Sequence, residues 1–515
     1  MLTHDATLLC EFGLAGLVVC LLVRVVRRKQ SLPLPPGPPG IPFVGNILLM
    51  SPNKGWVDFE HWSKTYDSDL ISLTGLGQQI IVANTYASSK AVLDRLNLSD
   101  RPHSVSMGEL AGWNRATVLH YYDDVWKLQR RYLHQVLGTR AGLRKYDDLR
   151  EGAAARFVKG LIDSPGSLEE QCHIYTTDLM LRIAFGYKTI GHDPMIQMAE
   201  RALESSSEFT TPGTWLVDVL PILRYLPSWN PFSKLHSAVA TEKRNIHTLF
   251  DVPFDWVKRE IASGKPPQSF TGELLSQPDM TPEGELEVKW LTSFLTGPPA
   301  PSSPPELTHP QTTWTMFAFF KLMAAHPDIQ RRAQAEIDSV LGAERLPVIG
   351  DMDVLPYTYA CCLETMRYHV VAPFGLPHRA MTDDAYGGYH IPAGATVFPN
   401  LWCVVFYESE YPNPHVFNPE RFLGEKKQRS PHDWAFGFGR RICPGRMLAD
   451  ESIFVACATA LATLDFLPKT RDGRPVPIDL SQMAGLVSLP TPFEYDAKLR
   501  SERARALIMN AVMAH

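Results

Sequence analysis

Residues 435–464 read AFGFGRRICPGRMLADESIFVACATALATL, and the cysteine in the first half of that run decides how the chain is understood. Cys443 follows Gly437, Gly439, Arg440 and Arg441, precedes Pro444 and Gly445, and opens a long apolar segment whose helical pattern runs from Met447 to Leu464. Each neighbour favours a thiolate. A helix amino terminus presents free N–H groups and positive potential, the arginines add charge, and the glycines let backbone amides approach the sulfur closely. A lone cysteine is more often an inert core residue; with these neighbours that reading is the weaker one.

Outward from this run, the chain alternates much helix with little strand. DIQRRAQAEIDSVLG places Ile329, Ala333, Ile337, Val340 and Leu341 at helical spacing and stops at Gly342. Further helical pattern covers Trp126 to Val136 and Leu168 to Phe185. Asp69 to Thr85 reads as a hairpin, two β-rich runs around Gly75 and Gly77. With 515 residues, 45% hydrophobic and 20% charged, the chain has the profile of an ordinary globular protein, read as one large, mainly α domain with a minor β region. A net charge of -5 argues against a broadly basic nucleic-acid binder. The 8 cysteines show no framework spacing, which fits reduced thiols in a cytosol-facing body.

The amino terminus carries its own signals. ATLLCEFGLAGLVVCLLV (Ala6 to Val23) is apolar except for Thr7 and Glu11 and is followed by Arg24, Arg27, Arg28 and Lys29. A single transmembrane helix at residues 1–30, with the positive cluster cytosolic, is expected. A cleaved signal peptide is the competing reading, but the basic cluster lies after the apolar run and no small-residue cleavage site follows. Residues 31–50, with SLPLPPGPPGIPFVGN, form a stiff proline-rich hinge whose far end, Ile41, Phe43 and Val44, is expected to pack on the domain of residues 51–515.

Phe436, Gly439, Arg441, Cys443 and Gly445 together match the haem-binding pattern F-x-x-G-x-R-x-C-x-G, and on it the chain resembles the cytochrome P-450 family, most closely microsomal fungal members. The resemblance implies that fold, heme b as cofactor, and Cys443 as the axial ligand of the iron. Three further places agree. Glu364 and Arg367, on one helix face, resemble the family's E-x-x-R, and Arg421 in FNPERF resembles the arginine that closes its buried network. Trp126 and Arg130 resemble the W-x-x-x-R helix that donates to the haem propionates, which His378, Arg441 and Arg101 are expected to share. The resemblance further implies pocket walls at Val370, Val371, Phe374 and Leu489, in the turn from Leu486, with Met107 to Trp113 as a mobile cover. A basic patch of Lys127, Arg131 and Arg446 would attract an acidic reductase.

One stretch departs from the family. TGPPAPSSPPELTHPQTT, residues 296–313, has six prolines where the resemblance expects a continuous helix bearing an acid and a threonine for proton delivery. Thr312 and Thr313 fall at the threonines, Gln311 replaces the acid, and an insertion at about 297–310 separates two helix-like halves. A gene-model error, a genuine looped-out insertion and a loss of dioxygen chemistry remain as explanations. The function expected is that of an endoplasmic-reticulum monooxygenase, single-pass and facing the cytosol. It would oxidise a lipophilic small molecule in secondary metabolism or xenobiotic oxidation, with dioxygen, NADPH-derived electrons from a flavoprotein reductase, and Thr312 assisting protonation. Alternatives are a haem-thiolate isomerase or dehydratase acting on a substrate peroxide, and a silent haem binder.

Overall fold

A computed structural model of the chain describes residues 32–514 apart from 42–43, 52–53, 76, 190–192, 211–213, 219, 226–233, 296–310 and 484–486. The apolar run at 6–23 and its basic flank lie outside the described residues, as do the proline stretch and Leu486. Among the described residues no helix is long and apolar enough to cross a membrane.

Helices that position the site, numbered in chain order, are α1 (Asp124–Leu137), α2 (Asp147–Asp163), α3 (Leu168–Phe185), α4 (Lys234–Ala262), α5 (Pro282–Leu295), α6 (Gln311–Ala325), α7 (Pro327–Leu341), α8 (Pro356–Tyr368) and α9 (Arg446–Thr463). Their ends follow local chemistry. The Asp123 carboxylate caps α1 by accepting from the Trp126 N–H at 2.8 Å. Pro327 and Pro356 open α7 and α8, where a missing N–H costs nothing. Gly342 ends α7 at φ 65°, as its place after the periodic run predicts.

Helices α2, α3, α6 and α9 pack on one another. Their shared core includes Phe157 against Tyr175 and Phe320, with centroids 5.7 Å apart in both pairs, and Phe320 against Phe466 at 4.5 Å. Each such ring withdrawn from water contributes about 1.5–3 kcal/mol. Helix α6 is buried from Thr313 to Ala324 on every face, so it runs through the middle of the domain.

The expected hairpin is β1 (Leu70–Gly75) and β2 (Gln78–Ala83), antiparallel with Leu70 opposite Ala83. Two further strands, β3 (His378–Arg379) and β4 (Thr396–Pro399), complete a sheet in the order β1-β2-β4-β3. Antiparallel pairing puts His378 opposite Val397 and so fixes it on a strand. The far end of the hinge does meet this sheet, Asn46 donating its N–H to Thr74 O at 2.8 Å, though not through Ile41. Ile41 is exposed and Phe43 lies outside the described residues; in addition Ser72 donates its N–H to Pro36 O and its hydroxyl to Pro35 O. Proline carbonyls keep full acceptor capacity, so a segment poor in donors can still add to the edge strand.

Candidate functional site

Cys443 sits half-buried three residues before α9, its N–H donating to Phe436 O at 2.8 Å. The turn that presents it needs Gly439, which adopts φ 56° and whose added Cβ would lie 2.5 Å from Leu93 O. The Asp94 carboxylate accepts the Gly439 N–H at 2.8 Å and fastens the turn. Burial pushes the Cys443 thiol up, while the Gly445 backbone N–H and the Arg130 and Arg446 charges pull it down. The expected electropositive surroundings are therefore present, and a coordinated cation would add to their pull toward thiolate.

Beneath the turn lies the acid–arginine network. Arg367 donates to Glu364 through Nε (2.7 Å) and Nη2 (2.8 Å), and Arg421 Nε reaches the same carboxylate at 3.3 Å. Glu364 and Arg367 are fully buried and Arg421 nearly so. Neither arginine stops at the acid. Arg367 also donates to Pro414 O (2.7 Å), and Arg421 to Pro412 O (2.6 Å) and Asn413 O (2.7 Å). Thus Arg367 of α8 and Arg421 of the short turn at Pro419–Phe422 together hold the carbonyls of the 412–416 segment. From there the link runs through Tyr411, whose hydroxyl accepts from Trp434 Nε1 at 3.0 Å, two residues before Phe436.

On the other side of Cys443 the structure gathers Trp126, Arg130, Arg101, Arg441 and His378. The Arg441 guanidinium lies 4.4 Å from the Trp126 ring and that of Arg130 5.6 Å from it. Desolvation lowers Arg441 to about 8 and Arg101 to about 10, and Arg130 and Arg101 each add to the strain on Arg441. Arginines do not give up their protons in proteins, so this stress calls for an anion. Arg441 is tied by three N–H groups to Ser99 O, Thr117 O and His120 O, and Arg101 to Val118 O, Leu376 O and Pro377 O. Trp126 Nε1 and the Arg130 guanidinium, by contrast, donate to no acceptor among the described residues. A cationic cluster with free donors beside a cysteine fits a planar group carrying two carboxylates, and haem is such a group.

His378 joins this cluster with one ring nitrogen already engaged. Burial, Arg101 and Arg441 lower it to about 3, so the ring is neutral, and Nδ1 must carry the hydrogen because its partner at 2.6 Å is the Leu98 carbonyl. Nε2 is then an acceptor and donates to a carboxylate only if the ring is protonated.

Other expected residues fall as follows. Thr312 is half-buried in the first turn of α6, Gln311 before it is exposed, and Thr313 is buried. Val370 and Leu489 are buried; Phe374 instead joins the core cluster of Trp56, Phe59 and Phe398. Residues 105–110 form a wide helical turn, and beyond it Trp113 packs on Phe250 of α4. Arg131 and Arg446 are exposed, but Lys127 is paired with Asp124 at 2.8 Å, which removes much of its share of a basic patch. Sequence reasoning missed the buried Glu287, which accepts from Arg115 (2.9 Å) and Gln129 (2.7 Å) and fastens α5 to α1. Its helix reads as an ordinary amphipathic one, so nothing marked it.

The fold and this site define a haem-thiolate enzyme. The family model for cytochrome P450 matches residues 35–287 and 309–497, and a relative named cytochrome P450 monooxygenase 208, from Postia placenta, is 36% identical over 97% of this chain and 97% of its own length. The chain belongs to the cytochrome P450 family and is a monooxygenase of it. Cytochrome P450 monooxygenase ppsD of Aspergillus oryzae is 34% identical over 99% of this chain and 96% of its own, and claR of Ampulloclitocybe clavipes 33% over 98% and 93%. The two matched blocks break at residues 288–308, around the proline stretch.

Proposed function

We propose that this chain is a membrane-anchored P450 that inserts one atom of dioxygen into a lipophilic small molecule of fungal secondary metabolism or detoxification. The observation that carries the reading is that Cys443 has the charge of Arg130, beside Trp126, acting on its thiol, while the loop that presents it is tied through Trp434 and Tyr411 toward the buried Glu364–Arg367–Arg421 network. Haem ligated by a cysteine thiolate supplies, when bound, the reductive activation of dioxygen. The chain does the rest. Arg130 and Trp126 orient two carboxylates, with Arg101 and Arg441 compensating their charge. Val370, Val371 and Leu489 exclude water from the space where a lipophile would lie, and Thr312 would hold the proton to be delivered.

NADPH-derived electrons would arrive from a flavoprotein reductase at the side where Arg131 and Arg446 are exposed. Membrane attachment at the endoplasmic reticulum, through residues 6–23, is supported by exposed apolar residues elsewhere. Leu48 is 74% exposed, Ile222 70% and Tyr225 72%; Gly45, near Leu48, bridges to Gly75 at the β1–β2 turn, and Gln78 on the other side of that turn donates from Nε2 to Asp218 O at 3.3 Å, so the two segments share one end of the molecule. The exposed Gln311 in place of an acid favours, as a second reading, an isomerase or dehydratase acting on a substrate peroxide.

The test is reconstitution with a reductase, NADPH and labelled dioxygen after the carbon monoxide difference spectrum has established thiolate ligation. Label in the product supports the monooxygenase. Turnover of a hydroperoxide without NADPH or reductase supports the second reading, and haem uptake without the thiolate band would overturn both.

A further inference from the structure

Helix α6 contains one lysine, Lys321, and it is 3% exposed in a helix otherwise built of apolar residues from Phe317 to Met323. A buried ammonium needs acceptors. Lys321 finds them in a single residue: Nζ donates to Thr491 O at 2.7 Å and to Thr491 Oγ1 at 2.6 Å. Thr491 in turn donates its hydroxyl toward Asp479 O (2.9 Å) and Ser481 O (3.2 Å), closing the base of the turn that leads through Val487, Ser488 and Leu489. The opposite side of that turn is held by the buried His369, whose Nε2–H donates to Ser488 O at 3.2 Å. Ser488 N–H donates to Val371 O at 2.8 Å, and Gln482 Nε2 to Tyr368 O at 2.9 Å.

We propose that Lys321 is a specificity-determining positioning residue: with His369 it pins the turn at Val487–Thr491 between α6 and the 369–371 segment, and so sets how far Val487 and Leu489 reach into the substrate space. The inference rests on the reading above that Leu489 and Val370–Val371 border that space. Two unlike tethers make the point. His369 ties the turn to α8, which also carries Glu364, while Lys321 ties it to the helix that carries Thr312, so the turn is referenced to both sides of the site at once. A methionine or leucine at 321 would pack as well among Ala318, Leu322 and Tyr368. The ammonium is therefore in place for its two bonds and not for its bulk.

The bond is also sensitive to pH. Burial lowers Lys321 to about 8, with the Asp479 charge opposing the shift. The other titratable groups around it are Tyr368, held above its ordinary value by burial, and His369, lowered to about 3, so neither changes charge near pH 8. Raising the pH through about 8 therefore removes one charge from this cluster, that of Lys321.

The experiment uses the full-length haem protein and three forms: unaltered, Lys321→Met and Thr491→Val, each first shown to bind haem with the thiolate carbon monoxide band. Amide hydrogen exchange of peptides spanning 487–499 is compared at about one pH unit below and above 8, after correction for the intrinsic rate. Loss of a charge-assisted bond predicts roughly tenfold faster exchange in Lys321→Met at the lower pH and a much smaller difference between Lys321→Met and the unaltered protein at the higher pH, while Thr491→Val, which also loses its hydroxyl bonds to Asp479 O and Ser481 O, should exchange faster at both. Spectral titration with imidazole and with the bulkier phenylimidazole supplies the second readout: the smaller ligand should bind all three alike, and the affinity for the larger should change roughly tenfold in Lys321→Met. Unchanged exchange in Lys321→Met overturns the tether. Faster exchange with unchanged phenylimidazole affinity overturns the specificity role and places the turn outside the substrate space, while thiolate ligation stands on its own spectrum.

Discussion

The Thr313 hydroxyl lies 2.7 Å from that of Thr176 across the contact between α6 and α3, with both side chains buried. Thr176 Oγ1 also lies 3.1 Å from Cys172 O and from His173 O, and carbonyls only accept. The Thr176 hydrogen is thereby used, so Thr313 is the donor in the pair and its one hydroxyl proton is committed to packing. Thr312, about 100° away around the helix, is the hydroxyl left for chemistry. Thr313→Val should cost about 1 kcal/mol of stability and leave the product formed per NADPH unchanged. Thr312→Ala should lower that ratio by about an order of magnitude at unchanged haem content. The opposite pattern would show that Thr313 turns toward the substrate during turnover.

The acid–arginine network makes a different kind of prediction. Glu364 takes three donors from two buried arginines and a fourth from the Asn418 N–H at 2.8 Å. Replacing it by alanine leaves two guanidinium groups facing each other without an anion, at a cost of about 3–5 kcal/mol. Since Arg421 and Arg367 hold the carbonyls of the 412–416 segment, the loss should appear first as haem release. Glu364→Ala is expected to give a thiolate band per mole of polypeptide well below that of the unaltered chain, with a lower urea midpoint. A full band with normal stability would mean that the backbone carbonyls hold the segment alone.

Two buried histidines away from the propionate cluster set an acid limit. Desolvation lowers His173 to about 4, and desolvation with the Lys321 charge lowers His369 to about 3, against about 6.5 when unfolded. Each binds fewer protons folded than unfolded between those values, so each stabilises the fold above pH 6.5 and loses that contribution as the pH falls through the interval. The slope is about 1.4 kcal/mol per pH unit for each group. Urea midpoints should therefore fall steadily below pH 6.5, and His173→Phe should remove about 1.4 kcal/mol per pH unit of that fall between 6.5 and about 4. An equal slope in the variant would assign the acid sensitivity to other groups.

The sequence carried the parts of this site that depend on local pattern. Cys443 and its glycines, the Glu364–Arg367 spacing, the Trp126–Arg130 spacing and the β1–β2 hairpin are all short-range features, and each appears where it was read. What was illegible is long-range. Glu287 meets Gln129 across 158 residues and Lys321 meets Thr491 across 170. No local signal separates Glu287 from a solvated acid on an amphipathic helix, and the apolar run around Lys321 marks it as buried without naming its partner. His378 shows the limit from the other side: its position was legible from resemblance, but its protonation depends on the Leu98 carbonyl and two arginines brought together only by the fold.

The proline stretch is best tested by removing it. Helix α5 has its own fastening, Glu287 to Arg115 and Gln129, and α6 has another, Thr313 to Thr176 and Lys321 to Thr491. Neither fastening uses residues 296–310, so the two halves are placed by independent contacts and not by the length of chain between them. Loop length enters stability only logarithmically, at about 0.6 kcal/mol per doubling. A variant lacking Pro298–Pro305 should therefore keep its thiolate band and its urea midpoint within about 1 kcal/mol, and a genuine insertion should also leave the product formed per NADPH unchanged. A gain in that ratio would identify the stretch as an obstruction to the proton path at Thr312, and loss of haem would show that α5 and α6 need the intervening chain to dock.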